Sequence, residues 1–457
     1  MYRFFRLVIT LMLLGWMALL PPTARAATAF SNTPLIATFS PPPGLTTSPT
    51  ANSTGNSEPA IAFGSDGSMA VDGLGWLPFQ VNLWKGSFGS TPSYFGGMDT
   101  SLPIHGAGRV NVGDGDADVE ITAAGTTLLA DLDIIFGPKG KFSQLGVSVT
   151  RCPAGASGPA DCTTSILDQA GADREWMTSY GSTVWVAYHD ARNSSIIRVK
   201  KSTDDGQTWH SSGSPLTGLG TVTGGSTFNN SLGPIVADPT TGFVFESFAG
   251  GEPQTKCCSA NFNNIYVSRS IDGGAHYTTS LVFHAQAFIA LNNFWPSLTV
   301  DPLTGGVWTS WTDLHGMWVS SSTDHGSTWS TPTLVSSIQT TVMPWIAARG
   351  GKVDVVYYGS TASSTDDPSA VWNVFDSVFS GGTWTVKQVS NTPNRVGRVC
   401  LDGSACAADR ELLDLFEVAE DPISGKAAII YTDTTKNTWT ANGVTHQLPE
   451  IVLAFEN

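Results

Sequence analysis

The sequence predicts an all-β fold, a β-propeller of four-stranded blades, with seven blades favoured and six as the alternative. Three observations carry this expectation. A short phrase, Ser-x-Asp-x-Gly-x-Thr-Trp, recurs along the chain; a second phrase, strand, Asp-Pro-x-Ser/Thr-Gly turn and strand, recurs between its copies; and both fall on a step of about sixty residues. The 48 glycines, the frequent Ser and Thr, and the lack of a long amphipathic helical pattern beyond residue 26 agree with short strands joined by tight turns.

Arg3 and Arg6 precede an almost wholly apolar run from Leu7 to Leu20, which is followed by two prolines and the small-x-small triplet Ala24-Arg25-Ala26. This order predicts a secretory signal peptide over residues 1–26, cleaved after Ala26, whose apolar part is short for a membrane span. No second long apolar run follows, so no stable membrane span is expected after cleavage and the protein is expected to be secreted or otherwise extracytoplasmic. Residues 27–56, rich in Pro, Ser, Thr and Asn, read as an extended leader or a closing strand, and residues 57–457 as one propeller domain.

The formal net charge is −15; loss of Arg3, Arg6 and Arg25 takes Lys+Arg from 23 to 20 against 38 acids, giving −18 for the mature chain. Such a surface repels nucleic acid and anionic membranes, which excludes a nucleic-acid partner. Six cysteines fall as Cys152 and Cys162, the adjacent Cys257 and Cys258, and Cys400 and Cys406. In an exported chain this even count predicts disulfides, with the connectivity left open by spacing alone. No His stands at ligand spacing beside them, so no metal centre is expected there. Asp114, Asp116 and Asp118 form the densest acidic run and offer hard oxygens of the kind Ca²⁺ takes, without the Gly and Glu spacing of an EF-hand. No other cofactor is expected.

Strand-and-turn units start at Pro59, Asp118, Glu175, Pro234, Pro296, Pro344 and about Leu413, a mean step of (413 − 59)/6 = 59 residues. A unit of that length holds four short strands, and seven starts imply seven blades. Pro after Asp with Gly close behind, as in Asp238-Pro, Asp301-Pro and Asp421-Pro, is the chemistry of a tight hairpin turn.

The eight-residue phrase occurs as Ser202-Thr-Asp204-Asp-Gly206-Gln-Thr208-Trp209, as Ser322-Thr-Asp324-His-Gly326-Ser-Thr328-Trp329, and in the worn copy Ser270-Ile-Asp272-Gly-Gly274-Ala-His276-Tyr277. Ser and Asp side chains accept nearby backbone N–H groups, Gly supplies a positive φ, and the aromatic folds back as an apolar plug. The phrase resembles the Asp-box, the bacterial neuraminidase repeat of sialidases and their relatives. The resemblance implies a propeller whose boxes sit on rim turns away from the ligand face. It also implies an extracellular glycan or glycoconjugate as partner, and, if the chain is an enzyme, an exo-sialidase-like glycoside hydrolase.

In a propeller the first strand of each blade lines the central channel, which ranks residues at the unit starts as site candidates. Asp173-Arg174-Glu175-Trp176 opens the third unit and Asp409-Arg410-Glu411 precedes Asp414 in the seventh. Arginine presents a planar fork that matches a carboxylate, so Arg174 and Arg410 are candidates to hold an acidic sugar, with a structural ion pair as the plainer reading. Glu175 is a candidate acid, Asp190 a candidate general acid between His189 and Arg192, and Tyr358 a candidate nucleophile. Asp173, Asp414, Trp176, Trp295 and Trp345 are candidate ligand contacts at the mouth. The family's Arg-Ile-Pro phrase has no counterpart, since Glu58-Pro59-Ala60 stands at that place. A catalytically silent adhesion or scaffold propeller is therefore the alternative to a glycan-processing one.

Overall fold

The computed structural model describes residues 29–37, 55–75, 80–98, 110–137, 141–169, 171–190, 196–216, 219, 230–251, 262–286, 289–291, 295–406, 408–441 and 444–457. The expected signal peptide and the Cys257-Cys258 pair lie outside these residues. Seven antiparallel sheets follow one another along the chain, five of four strands and two of five, and in all but the last the main four strands run in sequence order from the inside outward. Their inner strands touch in sequence around a ring, which makes the fold a seven-bladed propeller.

The blades run from Asn56 to Met98, Val110 to Asp168, Ala172 to Ser211, Asn230 to His284, Ser297 to Ser336, Thr340 to Gln388, and Glu417 to Glu456. The seventh has only three strands from its own segment. Its outer edge is filled by Phe30–Pro34, which pairs antiparallel with Val444–Glu456 in the register Phe30↔Glu456 to Pro34↔Val452. That strand ties the two ends of the ring together and leaves the last sheet with its fourth member. Lys352 and Lys387 of blade six both reach Glu456, at 2.7 and 2.8 Å, and so clasp the same seam.

The three boxes fold alike. Each Ser Oγ accepts the N–H of Gly206, Gly274 or Gly326 at 2.8–2.9 Å and donates to the Asp Oδ1 at 2.7–2.8 Å. That Oδ1 accepts the N–H of Thr208, His276 or Thr328, and Oδ2 takes the Thr hydroxyl at 2.6 Å or, in the worn copy, pairs with His276 Nδ1 at 2.7 Å. The glycines have φ of 81°, 89° and 77°, a conformation costly for any residue with a Cβ. Strand register places these turns beside the first hairpin turn of their own blade, at the opposite end from the strand starts.

A basic residue on the preceding blade clasps each box. Arg151 Nε donates to Asp205 O at 2.7 Å, Lys201 Nζ to Gly273 O at 2.8 Å, and Arg269 Nη1 to His325 O at 2.9 Å. All three occupy the same place, at the end of the third strand of blades two, three and four. At the corresponding place in blade five stands Ser321, and blade six carries no box for it to meet. Nearer the channel, side chains of one inner strand accept backbone N–H groups of the next: Asp118 from Met177, Thr178 from Ala237, Ser297 from Ile346, and Glu417 from Ile61. The blades are thus stitched at both ends as well as by the apolar seams between them.

Phe30 is 1% exposed and packs with core residues of blades six and seven, including Val389 and Val452. Phe30→Ala is expected to cost about 3–5 kcal/mol, as for a large-to-Ala change in a packed core. A lower urea midpoint checks this; an unchanged one would show that ring closure does not depend on this side chain.

Candidate functional site

The inner strands share an irregularity at the mouth of the channel. Glu58, Arg174, Trp295, Met343 and Leu413, which belong to five different blades, all have positive φ, between 27° and 56°. Register shifts of the bulge type mark the same place between Asp173 and Glu175, Leu232 and Ile235, and Val342 and Trp345. Pro follows in four blades, as Glu58-Pro59, Gly233-Pro234, Trp295-Pro296 and Met343-Pro344. A bulge turns its side chain out of the strand alternation.

Arg174 lies at the centre of what these bulges present. Its Nη1 donates to Glu58 Oε1 at 2.5 Å and its Nη2 to Asp414 Oδ2 at 3.0 Å, with Asp116 Oδ2 at 3.4 Å. The guanidinium stacks over the Trp295 ring at 4.0 Å. Blades one, two, three, five and seven therefore meet on one side chain. Burial opposes the charge of Arg174, but Asp116, Glu58 and Asp414 outweigh it and raise its pKa, so it stays protonated.

Arg410 reaches the same Asp414 Oδ2, at 2.6 Å, from the half-exposed side. The structure thus brings Arg174, Arg410, Asp173, Glu175 and Asp414 into one cluster. The matching look of Asp173-Arg174 and Asp409-Arg410 is not repeat equivalence, since Arg174 occupies the bulge and the bulge of blade seven is Leu413. Asp409 and Glu411 face Arg395 instead, at 3.5 and 2.8 Å. The segment carrying them is tied by the Cys400–Cys406 disulfide and by Cys400 N–H donating to Asp409 O at 2.9 Å. Cys152 and Cys162 form the other disulfide among the described residues.

The three candidate tryptophans also meet. Trp176 lies 5.1 Å from the Trp345 ring and 6.0 Å from that of Trp295, centroid to centroid. Trp176 is buried beneath the other two, which are half-buried. Two candidates lie elsewhere. Tyr358 is in the core between blades six and seven, stacked on Phe416, its hydroxyl accepting the Thr432 N–H at 3.0 Å and its pKa raised by burial. Asp190 is buried and paired to the Arg198 guanidinium. His189, whose ring bonds Asn230 at 2.7 Å, is held neutral by burial and by the field of Arg174.

Acids crowd the channel. Burial raises Asp116 to about 6 and lifts Glu58 and Glu175 as well. Further in, burial raises Asp72 and Glu120 to about 7 and lifts Asp118 and Glu417 well above the ordinary carboxylate range. Asp118 serves the Met177 N–H and Asp116 the arginine, so neighbours in the acidic run do different work. Among the described residues no group of three or more His, Cys, Asp and Glu stands in a metal-holding arrangement.

Reading from position alone found the mouth but not its wiring. Glu58 and Asp116 carry no motif, and Arg395 has no local signal beyond being a rare basic residue in an acidic chain.

No protein family matches the sequence, and no curated protein does. Solved structures similar to this chain include a protein of unknown function from Dyadobacter fermentans, at 12% identity over 94% of this chain and 100% of that one, with a TM-score of 0.46. They also include an α-L-arabinanase of Penicillium chrysogenum complexed with arabinobiose, at 13% identity, 72% and 94% coverage and a TM-score of 0.46. A Trypanosoma rangeli sialidase is similar at 10% identity, covering 94% of this chain and 58% of that one, with a TM-score of 0.45. Likeness at this level carries no argument about activity.

Two outcomes are expected. Arg174→Ala leaves Glu58 and Asp116 without a cation and Asp414 with Arg410 alone, and should cost about 3–5 kcal/mol. Arg410→Ala, at a half-exposed pair, should cost no more than about 1 kcal/mol; chemical denaturation of the two variants checks the contrast. The second concerns pH. Asp72, Asp116 and Glu120 titrate near 6–7 when folded and near 4 when unfolded, so the folded state holds more protons across that interval. Their contribution is complete below about pH 4 and is lost as pH rises through 7. Asp204, held at about 2 by Thr208 and Ser202, changes nothing in this window because its contribution fades only below pH 4. Tm should therefore rise from pH 8 to pH 5, and a flat or falling profile would contradict the assignment.

Proposed function

We propose that this chain is an exported propeller that recognises or processes extracellular glycans at the mouth formed by Asp116, Asp173, Arg410, Asp414, Trp295 and Trp345. The observation that carries the reading is the convergence there of carboxylate acceptors, a guanidinium donor and half-buried indole rings from five blades. Sugars need that combination, since hydroxyls both donate and accept and the C–H faces of the rings pack on aromatics. The box-bearing turns lie at the other end of the blades and support the scaffold rather than the ligand site. Disulfides at Cys152–Cys162 and Cys400–Cys406 fit an oxidising compartment. No helix among the described residues is long and apolar enough to cross a membrane.

Sialoside chemistry fits this mouth poorly. A sialic acid carboxylate needs unengaged guanidiniums, and both terminal nitrogens of Arg174 and the nearer one of Arg410 already face carboxylates. A hydrolytic version has one feature in its favour: burial raises Asp116 to about 6, toward the range in which a carboxyl can serve as a general acid. Catalytically silent binding is the other version.

A glycan array followed by a panel of fluorogenic glycosides, both with the protein starting at Ala27, tests the reading. Binding to at least one glycan class, reduced about tenfold or more by Arg410→Ala with Asp414→Asn, is expected, together with no turnover of sialosides. Absence of binding to every glycan, or sialoside hydrolysis that survives both substitutions, would sink it.

A further inference from the structure

The box clasp breaks off at one seam, and a cleft stands in its place. In blades two, three and four the basic residue that grips the next box is paired across its strands with an apolar one, as Leu128↔Arg151, Trp185↔Lys201 and Phe245↔Arg269. Leu128, Trp185 and Phe245 are at most 2% exposed, and each comes within 2.8–3.2 Å of where a Cβ on Gly206, Gly274 or Gly326 would stand. The box of the following blade covers them.

Blade five repeats the apolar member as Trp308, paired with Ser321, but blade six offers it no box. The two-residue turn Gly381-Gly382, with φ of 59° and 86°, takes the place of one, and Thr383-Trp384 after it echoes the end of a box. Trp308 is half-buried, and its Nε1 finds no acceptor among the described residues, whereas Trp185 Nε1 donates to Gly273 O at 3.0 Å. The seam lacks bulk on a second side. Phe243, two residues before Phe245, meets His325 of the next box edge-on at 5.6 Å, centroid to centroid; two residues before Trp308 stands Gly306. Its φ is not left-handed, so the backbone does not call for glycine, and a Cβ there would press on Trp308 Nε1 at 3.1 Å.

Three half-buried rings line the opening. Trp308 lies 5.9 Å from Phe379, and Phe379 5.2 Å from Trp384, centroid to centroid. Ser321, directly across from Trp308, adds a hydroxyl on the same face. The charged side chains of blade six alternate with these rings and belong to the other seam, where Lys352 pairs with Asp354 and Glu456. An uncharged sugar ring matches such a surface, since its C–H faces pack on indoles and its hydroxyls take an indole N–H and a serine.

We propose that the seam between blades five and six, at the box end of the disc, binds a neutral pyranose chain, with one ring lying across Trp308 and Trp384 where the neighbouring seams hold a box. This site is separate from the mouth and does not rest on the reading given for it.

Isothermal titration of the protein starting at Ala27 tests it, with cellopentaose, xylopentaose, mannopentaose and a galacturonic acid pentamer. At least one neutral pentamer is expected to bind about tenfold or more tightly than the anionic one. Trp308→Phe, which keeps a ring and removes the N–H, should weaken that binding about three- to tenfold. Ser321→Arg, which supplies the basic residue the other seams carry, should weaken it about tenfold or more, with Tm lowered by no more than about 2 °C. No binding of any neutral pentamer overturns the proposal, and so does equal binding of the anionic one. Binding unchanged in Ser321→Arg places the sugar elsewhere on the protein, which overturns this site and leaves the mouth reading standing.

Discussion

One buried cation holds the centre of this protein. The Arg174 guanidinium takes carboxylates from blades one, two and seven and an indole from blade five. Without it the inner strands of those blades would bring Glu58, Asp116 and Asp414 together with no cation between them. The geometry is set by backbone as much as by charge. Arg174 and Glu58 both have left-handed φ, which costs roughly 1–2 kcal/mol per residue and persists only where the surroundings fix it. The bulge turns the side chain inward, the ion pairs hold the bulge, and the ring of blades closes around both.

Much of the fold was legible because its signals are local. A box of eight residues satisfies its own backbone, so its hydrogen bonds can be inferred from composition and order, and Ser202, Ser270 and Ser322 behave alike for that reason. The Asp-Pro turns are local in the same sense. The blade count followed from the period of these phrases. The clasp from Arg151, Lys201 and Arg269, a basic residue at the end of the third strand of the blade before each box-bearing one, becomes visible only when adjacent blades are compared.

The mouth was legible by position and not by partner. Arg174 and Arg410 do meet, but at a shared carboxylate rather than around an empty pocket. Glu58 and Asp414 are 356 positions apart in number, and nothing local says that they bracket one guanidinium. Tyr358 illustrates the converse. On the sequence it stands as a candidate nucleophile, whereas the alternation of its strand turns it into the seam with blade seven. Two populations of acid result. Those in the boxes accept several hydrogen bonds and are held well below the ordinary carboxylate range, while those along the channel are desolvated and held above it.

The closing strand sets an order of events during biosynthesis. Ser31 bonds to Asn457 across a separation of 426 residues, so the segment made first is the one needed last. At a synthesis rate of roughly 5–20 residues per second, Phe30–Pro34 waits on the order of 20–85 s for its partner strand to exist. During that interval blades one to six can form and dock successively while the ring stays open. A chain folding this way assembles as an arc and becomes a disc in a single late step.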